Sequence, residues 1–201
     1  MSRVRCAVLV SGGGTNLQAL LDAEKAGKLP HVEFVCVISS RPDAYALERA
    51  KNAGVPTYVA PRKGVSQEAF EAQILSFLNE TQAQLIVLAG FMSILSPGFV
   101  ARYPRRILNV HPALLPAFGG KGFYGLHVHE AALARGVKVT GATVHYVNEI
   151  ADGGEIILQK PVSVLPDDTP ETLQRRVMEQ AEWLILPQAL EIAAAEICQE
   201  Q

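Results

Sequence analysis

The chain has 201 residues, is 49% hydrophobic and 19% charged, and carries a formal net charge of −2 with a pI near 6.2. That length predicts one domain with a sizeable core, and the missing basic excess excludes a general nucleic-acid binder while leaving room for a small anionic ligand. No window has the apolar length of a membrane span.

The chain opens with the short apolar run VRCAVLV, a strand covered on both faces. Glycine-rich sequence follows at once, so no signal peptide is expected. SGGGTN then leads into a helix with Leu17, Leu20 and Leu21 at helical spacing and Gly27 as its stop. VEFVCVISS is a second strand, and RPDAYALERAKNAG a helix opened by Pro42 and Asp43 and closed by Gly54. VPTYVA is a short strand, SQEAFEAQILSFLNET a helix with Phe70, Ile74, Phe77 and Leu78 on one face, and AQLIVLAG a fourth strand. RRILNV forms the fifth, LHVHEAALARG a helix, and VKVTGATVHYVN and GEIILQKPVSVLP two strands that could pair. One long helix closes the chain, kinked or broken at Pro187.

This alternation predicts an α/β fold, a single-domain doubly wound and mostly parallel sheet with helices on both faces. Open sheets of this kind bind ligands at the carboxyl ends of their strands. The loops there are SGGGTN, ISSRPD, AGFMSILSP and the segment after RRILNV.

SGGGTN fails as a dinucleotide fingerprint, because Leu17 takes the third glycine position and no acid closes the second strand. It is no P-loop either. What remains is a glycine loop at a helix N-terminus, with Thr15 and Asn16 adding a hydroxyl and an amide, which suits one phosphate group. A plain strand-to-helix turn capped by Thr15 is the alternative.

Asn109 and His111 are two positions apart, so an extended chain points both to one side, and Pro112 keeps His111 extended. An amide donor beside an imidazole can stabilise charge developing on a carbonyl oxygen and move a proton near neutral pH. A histidine that only satisfies a turn is the competing reading. The imidazole needs a carboxylate, and NEIADGGE offers Glu149, Asp152 and Glu155 without a spacing that chooses among them. His31 reads as exposed; His127 and His129 cannot share a helix face; His145 lies on a strand and supports the site from below. Cys6, Cys36 and Cys198 are odd in number, and two fall in apolar runs, so buried thiols in a reducing, cytoplasmic setting are expected. No cysteine or histidine spacing calls for a metal.

Taken together, LVSGGGTNLQAL, VLAGFMSILSP, ILNVHPALLPAF and GATVHYVNEIADGGEIILQ resemble, in order and over nearly the whole chain, the folate-dependent phosphoribosylglycinamide formyltransferase family. The resemblance implies a Rossmann-like formyltransferase fold over residues 1–201. The half up to about residue 100 would bind phosphate and nucleotide, and the C-terminal half folate and the catalytic loops. It implies transfer of the formyl group of 10-formyltetrahydrofolate to the amine of phosphoribosylglycinamide in purine synthesis, by a monomer or homodimer using small-molecule substrates, with neither nucleic acid nor membrane as partner.

Carried over by position, Asn109 would bond the formyl oxygen, His111 would stabilise its charge as an imidazolium, and Asp152 would raise the His111 pKa. Gly12, Gly13, Gly14, Thr15 and Asn16 would hold the ribonucleotide. The folate would lie along Met92, Ser93, Ile94 and Leu95, through their backbone, and against Asn109, Asn148 and Ile150. Two positions depart from the pattern. Gln67 replaces a folate-contacting arginine, with Arg62 or Lys63 as substitutes. The ribose-binding glutamate is Glu182 counted back from Pro187, yet the same position is Ala181 counted forward from the RRV run. AFGGKGFYGLHVHE is longer than in the shortest relatives and would form a loop over the site. Related enzymes that formylate methionyl-tRNA or release formate to water normally carry an extra domain, for which 201 residues leave no room.

Overall fold

A computed structural model describes residues 3–200. One seven-stranded sheet runs through them in the order β3-β2-β1-β4-β5-β6-β7. Strands β1 (Val4–Val10), β2 (Val32–Ser39), β3 (Thr57–Val59), β4 (Leu85–Leu88) and β5 (Ile107–His111) pair in parallel. β6 (Val139–Tyr146) and β7 (Ile156–Ser163) add an antiparallel edge. Chain order reverses at β1, which has β2 on one side and β4 on the other, so a crevice opens beyond their carboxyl ends.

Residue alternation along β1 builds both faces. Cys6, Val8 and Val10 join the core under helices α1 (Thr15–Lys25), α2 (Ala46–Asn52) and the C-terminal helices, whereas Ala7 and Leu9 join Phe70, Ile74 and Leu78 of α3 (Gln67–Glu80). The apolar runs without alternation are therefore strands buried on both sides, as expected. Ser66 Oγ caps α3 by accepting from Ala69 N–H at 3.2 Å. A short helix α4 (Pro97–Val100), capped by Ser96, begins at the last residue of the AGFMSILSP loop. α5 is Leu126–Arg135.

Three expectations change. α2 starts at Ala46 rather than at Pro42 and Asp43, because the Asp43 carboxylate is spent on the Arg41 guanidinium at 2.7 Å. His31 is half-buried and bonded to Glu191 of the last helix. The closing helix is not broken at Pro187. It divides into α6 (Pro170–Val177), a π-helical turn (Met178–Glu182) and α7 (Trp183–Gln199), with Pro187 inside α7. Pro187 lacks an N–H and crowds the carbonyl of Trp183, so the irregularity falls in the turn just before that carbonyl.

Candidate active site

The crevice is about 790 Å³ and is floored by the ends of β4, β5 and β6. Its register follows from strand pairing: Asn109 lies opposite His145, and His111 opposite Thr143. Both β5 side chains therefore face the same space, as the two-residue spacing predicts. Thr143 Oγ1 accepts from Leu115 N–H at 3.0 Å and donates to the Ala113 carbonyl at 2.7 Å. These bonds fix the proline-rich exit that carries His111 to the mouth.

His111 is 4% exposed. Its Nε2 lies 2.7 Å from the Phe118 carbonyl, which can only accept, so Nε2 carries the hydrogen. The basic nitrogen is then Nδ1, 3.6 Å from Asp152 Oδ2. His145 repeats the logic: its Nδ1–H donates to the Tyr146 carbonyl at 2.9 Å, leaving Nε2 to accept from Asn109 Nδ2–H at 3.2 Å. Asn109 keeps a second N–H for the crevice. His145 is therefore beside the trio, 3.7 Å from Asp152 Oδ1, rather than below it.

Asp152 is the acid the structure brings to the histidines. It sits at φ 55, a left-handed conformation, followed by Gly153 and Gly154. A Cβ on Gly154 would lie 1.7 Å from the Tyr146 carbonyl, so only glycine lets the loop fold back on the strand end. Gly120 N–H donates to Asp152 Oδ2 at 2.8 Å, tying the glycine-rich loop after β5 to the acid. Burial alone would raise the Asp152 pKa, but the His145 ring, the Gly120 N–H and His111 hold it below the ordinary carboxylate value. For His111 two effects oppose each other. Burial pushes its pKa below 6.5, and the upward pull of Asp152, present as anticipated, does not outweigh it.

At the other end of the crevice α1 meets the π-helical turn. Asn16 Nδ2–H donates to Glu182 Oε2 at 2.8 Å. The π-helical turn resolves the ambiguity of counting: its i→i+5 spacing takes one more residue than an α turn, so Ala181 faces the core and Glu182 the crevice. Burial raises the Glu182 pKa to about 7 against the lowering effect of Asn16. Asn16 Oδ1 is buried without a partner, an acceptor waiting for a donor. Gly14 at φ 73, not Thr15, is the helix N-cap, and no side chain caps it.

Met92, Ser93, Ile94 and Leu95 line the crevice, and Met92 and Ile94 are exposed lips facing exposed Ile150. Their backbone is less available than expected. Met92 N–H is donated to Ser11 Oγ at 2.9 Å, and the Ile94 carbonyl accepts from Gln67 Nε2 at 3.0 Å. The Asn148 amide is spent within its own loop, on Ile150 N–H and the Gly153 carbonyl. Of the two candidate cations, Arg62 is coupled to this edge: it donates to Gln67 Oε1 at 3.2 Å and stacks 5.4 Å over the Phe70 ring. Lys63 makes no such contact. Glu149 also lines the crevice. Glu155 pairs with Arg105 instead.

Several contributors were not singled out from sequence. Ser11, which accepts from Met92 N–H, is one, and Lys121 in the glycine-rich loop after β5 is another, signalled only by its flanking glycines. The Phe118 carbonyl has no sequence signal at all.

An α/β crevice with an amide donor and a buried histidine–carboxylate pair at one end and the Thr15–Asn16 edge of a glycine loop at the other belongs to an enzyme acting at a carbonyl carbon. The chain belongs to the formyl transferase family, whose model matches residues 4–190. It is 44% identical over 184 residues to phosphoribosylglycinamide formyltransferase of Haemophilus influenzae, covering 91% of this chain and 84% of that one. It is 43% identical over 190 residues to the trifunctional purine biosynthetic protein adenosine-3 of Drosophila melanogaster, covering 94% of this chain but 14% of that much longer one. The crystal structure of glycinamide ribonucleotide transformylase 1 from Symbiobacterium toebii superposes with a TM-score of 0.89 at 42% identity, covering 96% of this chain and 89% of that one.

Proposed function

We propose that this enzyme transfers the formyl group of 10-formyltetrahydrofolate to the amine of phosphoribosylglycinamide, a step of purine synthesis. The observation that carries the reading is the convergence of Asn109, His111 and Asp152 on one side of a crevice whose other end holds the Asn16–Glu182 pair. The unpartnered Asn16 Oδ1 and the Glu182 carboxyl fit the hydroxyls of a ribose, and Gly12, Gly13, Gly14 and Thr15 fit its phosphate. The apolar lips Met92, Ile94 and Ile150 fit a flat ring system, which the Ser93 and Leu95 backbone can still bond. Arg62, through Gln67, is the cation placed to meet the folate carboxylates. The folate supplies an activated one-carbon group at the formyl oxidation level.

Neutral His111 accepts at Nδ1 the proton that the amine loses as it attacks. The resulting imidazolium is held by Asp152, and His111 returns the proton to the departing folate nitrogen. Asn109 donates its second Nδ2–H to the formyl oxygen as negative charge develops there. His145 fixes the Asn109 amide. The N-terminal loop and the π-helical turn thus serve the ribonucleotide together, so binding divides along the crevice rather than by halves of the chain. Each crevice is built by one chain, so a monomer or a homodimer would carry complete sites. No helix among the described residues is long and apolar enough to cross a membrane. Buried thiols at Cys6 and Cys36 suit the cytoplasm.

The test is an assay of the purified protein with 10-formyltetrahydrofolate, with and without phosphoribosylglycinamide. Formyl loss that requires the amine is expected. Formate release independent of the amine would instead assign a hydrolase, and no turnover under either condition would overturn the reading.

A further inference from the structure

The loop assigned to the phosphate is itself neutral; its Thr15 and Asn16 line the crevice together with the carboxylates of Glu149, Asp152 and Glu182 and with Lys121. A dianionic phosphate entering it needs amide N–H groups aimed outward and a positive charge nearby. Neither follows from the three glycines alone, since flexible glycines do not fix the direction of their own peptides.

The structure shows what fixes them. Ala46 N–H, the first residue of α2, donates to the Gly12 carbonyl at 3.1 Å. Arg49 Nε–H, one turn further on, donates to the Gly13 carbonyl at 2.8 Å. Both peptides are trans, so the N–H groups of Gly13 and Gly14 point opposite to those anchored carbonyls, away from α2. The approach is close enough to forbid a side chain: a Cβ on Gly14 would lie 2.6 Å from Ala46 Cβ and 3.4 Å from Arg49 Cδ. The guanidinium is held on two more sides. Its Nη1–H donates to Gln18 Oε1 at 3.0 Å, and its carbon stacks 5.0 Å from the Tyr45 ring centroid. Among the described residues no carboxylate pairs with it directly; Asp22 is reached only through the Gln18 amide, at 2.9 Å. A half-buried, rigidly held cation without an anion therefore stands behind the loop.

We infer that Arg49 is a positioning residue for the ribonucleotide phosphate: it turns the Gly14 N–H toward the anion and supplies the charge the loop lacks. The inference rests on the reading of Gly12–Asn16 as the phosphate loop. It makes Arg49 a determinant of specificity for the phosphorylated substrate over the free riboside.

The experiment compares wild type, Arg49→Met and Arg49→Lys with phosphoribosylglycinamide and with its phosphate-free riboside, alongside thermal shift with inorganic phosphate. Arg49→Met is expected to raise KM for the ribonucleotide about tenfold or more, a charged hydrogen bond's worth, with KM for 10-formyltetrahydrofolate within about twofold of wild type, as for uniform binding of one substrate. Turnover of the riboside should not change, and the stabilisation of wild type by phosphate should be lost. Arg49→Lys should recover only part of the affinity, because an ammonium cannot bond Gly13 and Gln18 with one rigid fork. An unchanged ribonucleotide KM in Arg49→Met, or an equal loss on the riboside, overturns the inference while leaving the loop assignment standing. Should wild type use riboside and ribonucleotide equally well, the loop assignment itself falls. If Arg49→Met does not fold, Arg49→Lys alone decides by the same two-substrate comparison.

Discussion

His111 is buried between two groups that can only accept a hydrogen, the Phe118 carbonyl and the Asp152 carboxylate. Its surroundings are built for the imidazolium, yet burial pulls the resting ring toward its neutral form. That combination suits a base that is protonated only while the reaction passes through it. Asp152→Asn separates the two effects. Without the carboxylate charge, kcat should fall by about 10²- to 10⁴-fold. Asp152 pulls the His111 pKa upward, so its loss lowers that pKa further, and the acid limb of kcat/KM should move to lower pH. A pH–rate profile checks both at once; a limb that moves to higher pH, or a near wild-type plateau, refutes the assigned roles.

The elements that carry these residues differ in how far they depend on exact backbone shape. β5 needs only its alternation, and Asn109 and His111 were legible for that reason. The β6–β7 turn needs Gly154 against the Tyr146 carbonyl. Gly154→Ala should therefore displace Asp152, cutting kcat at least tenfold while Tm falls by only a few degrees; wild-type kcat in this variant would show that the turn does not set the acid. The choice of Asp152 over Glu149 was not legible from spacing, because it depends on a left-handed residue and on how the β6–β7 turn folds back on the end of β6. The π-helical turn was invisible for a related reason. A helical pattern read with one period cannot show an extra residue, and it surfaced only as the conflict between Ala181 and Glu182. The start of α2 was misread because Asp43 looked like a cap while its charge was taken by Arg41. The availability of the Met92–Leu95 backbone was hidden too, since Ser11 and Gln67 reach it from other elements.

Across the molecule, two buried groups respond to pH in opposed directions. His129, on α5, is fully buried with both ring nitrogens unpartnered, and burial, aided by the nearby His111, lowers its pKa from 6.5 to about 4. Glu182 is raised from 4.5 to about 7. A base with a lowered pKa binds its proton more readily when unfolded, so the His129 term costs stability as pH falls from 6.5 toward 4. An acid with a raised pKa keeps its proton in the fold, so the Glu182 term costs stability as pH rises from 4.5 through 7. Each term is on the order of 3 kcal/mol at its limit. Over the shared window the two slopes oppose each other, which flattens the pH dependence of the fold's stability. Denaturant unfolding from pH 4 to 8 resolves them as differences from wild type. The advantage of Glu182→Gln should grow as pH rises from 4.5 to 7, because glutamine keeps an acceptor for Asn16 and has no proton to lose. The advantage of His129→Phe should grow in the opposite direction, as pH falls below 6.5. Parallel curves for either variant and wild type would mean that the group concerned titrates in the fold as it does in the unfolded chain.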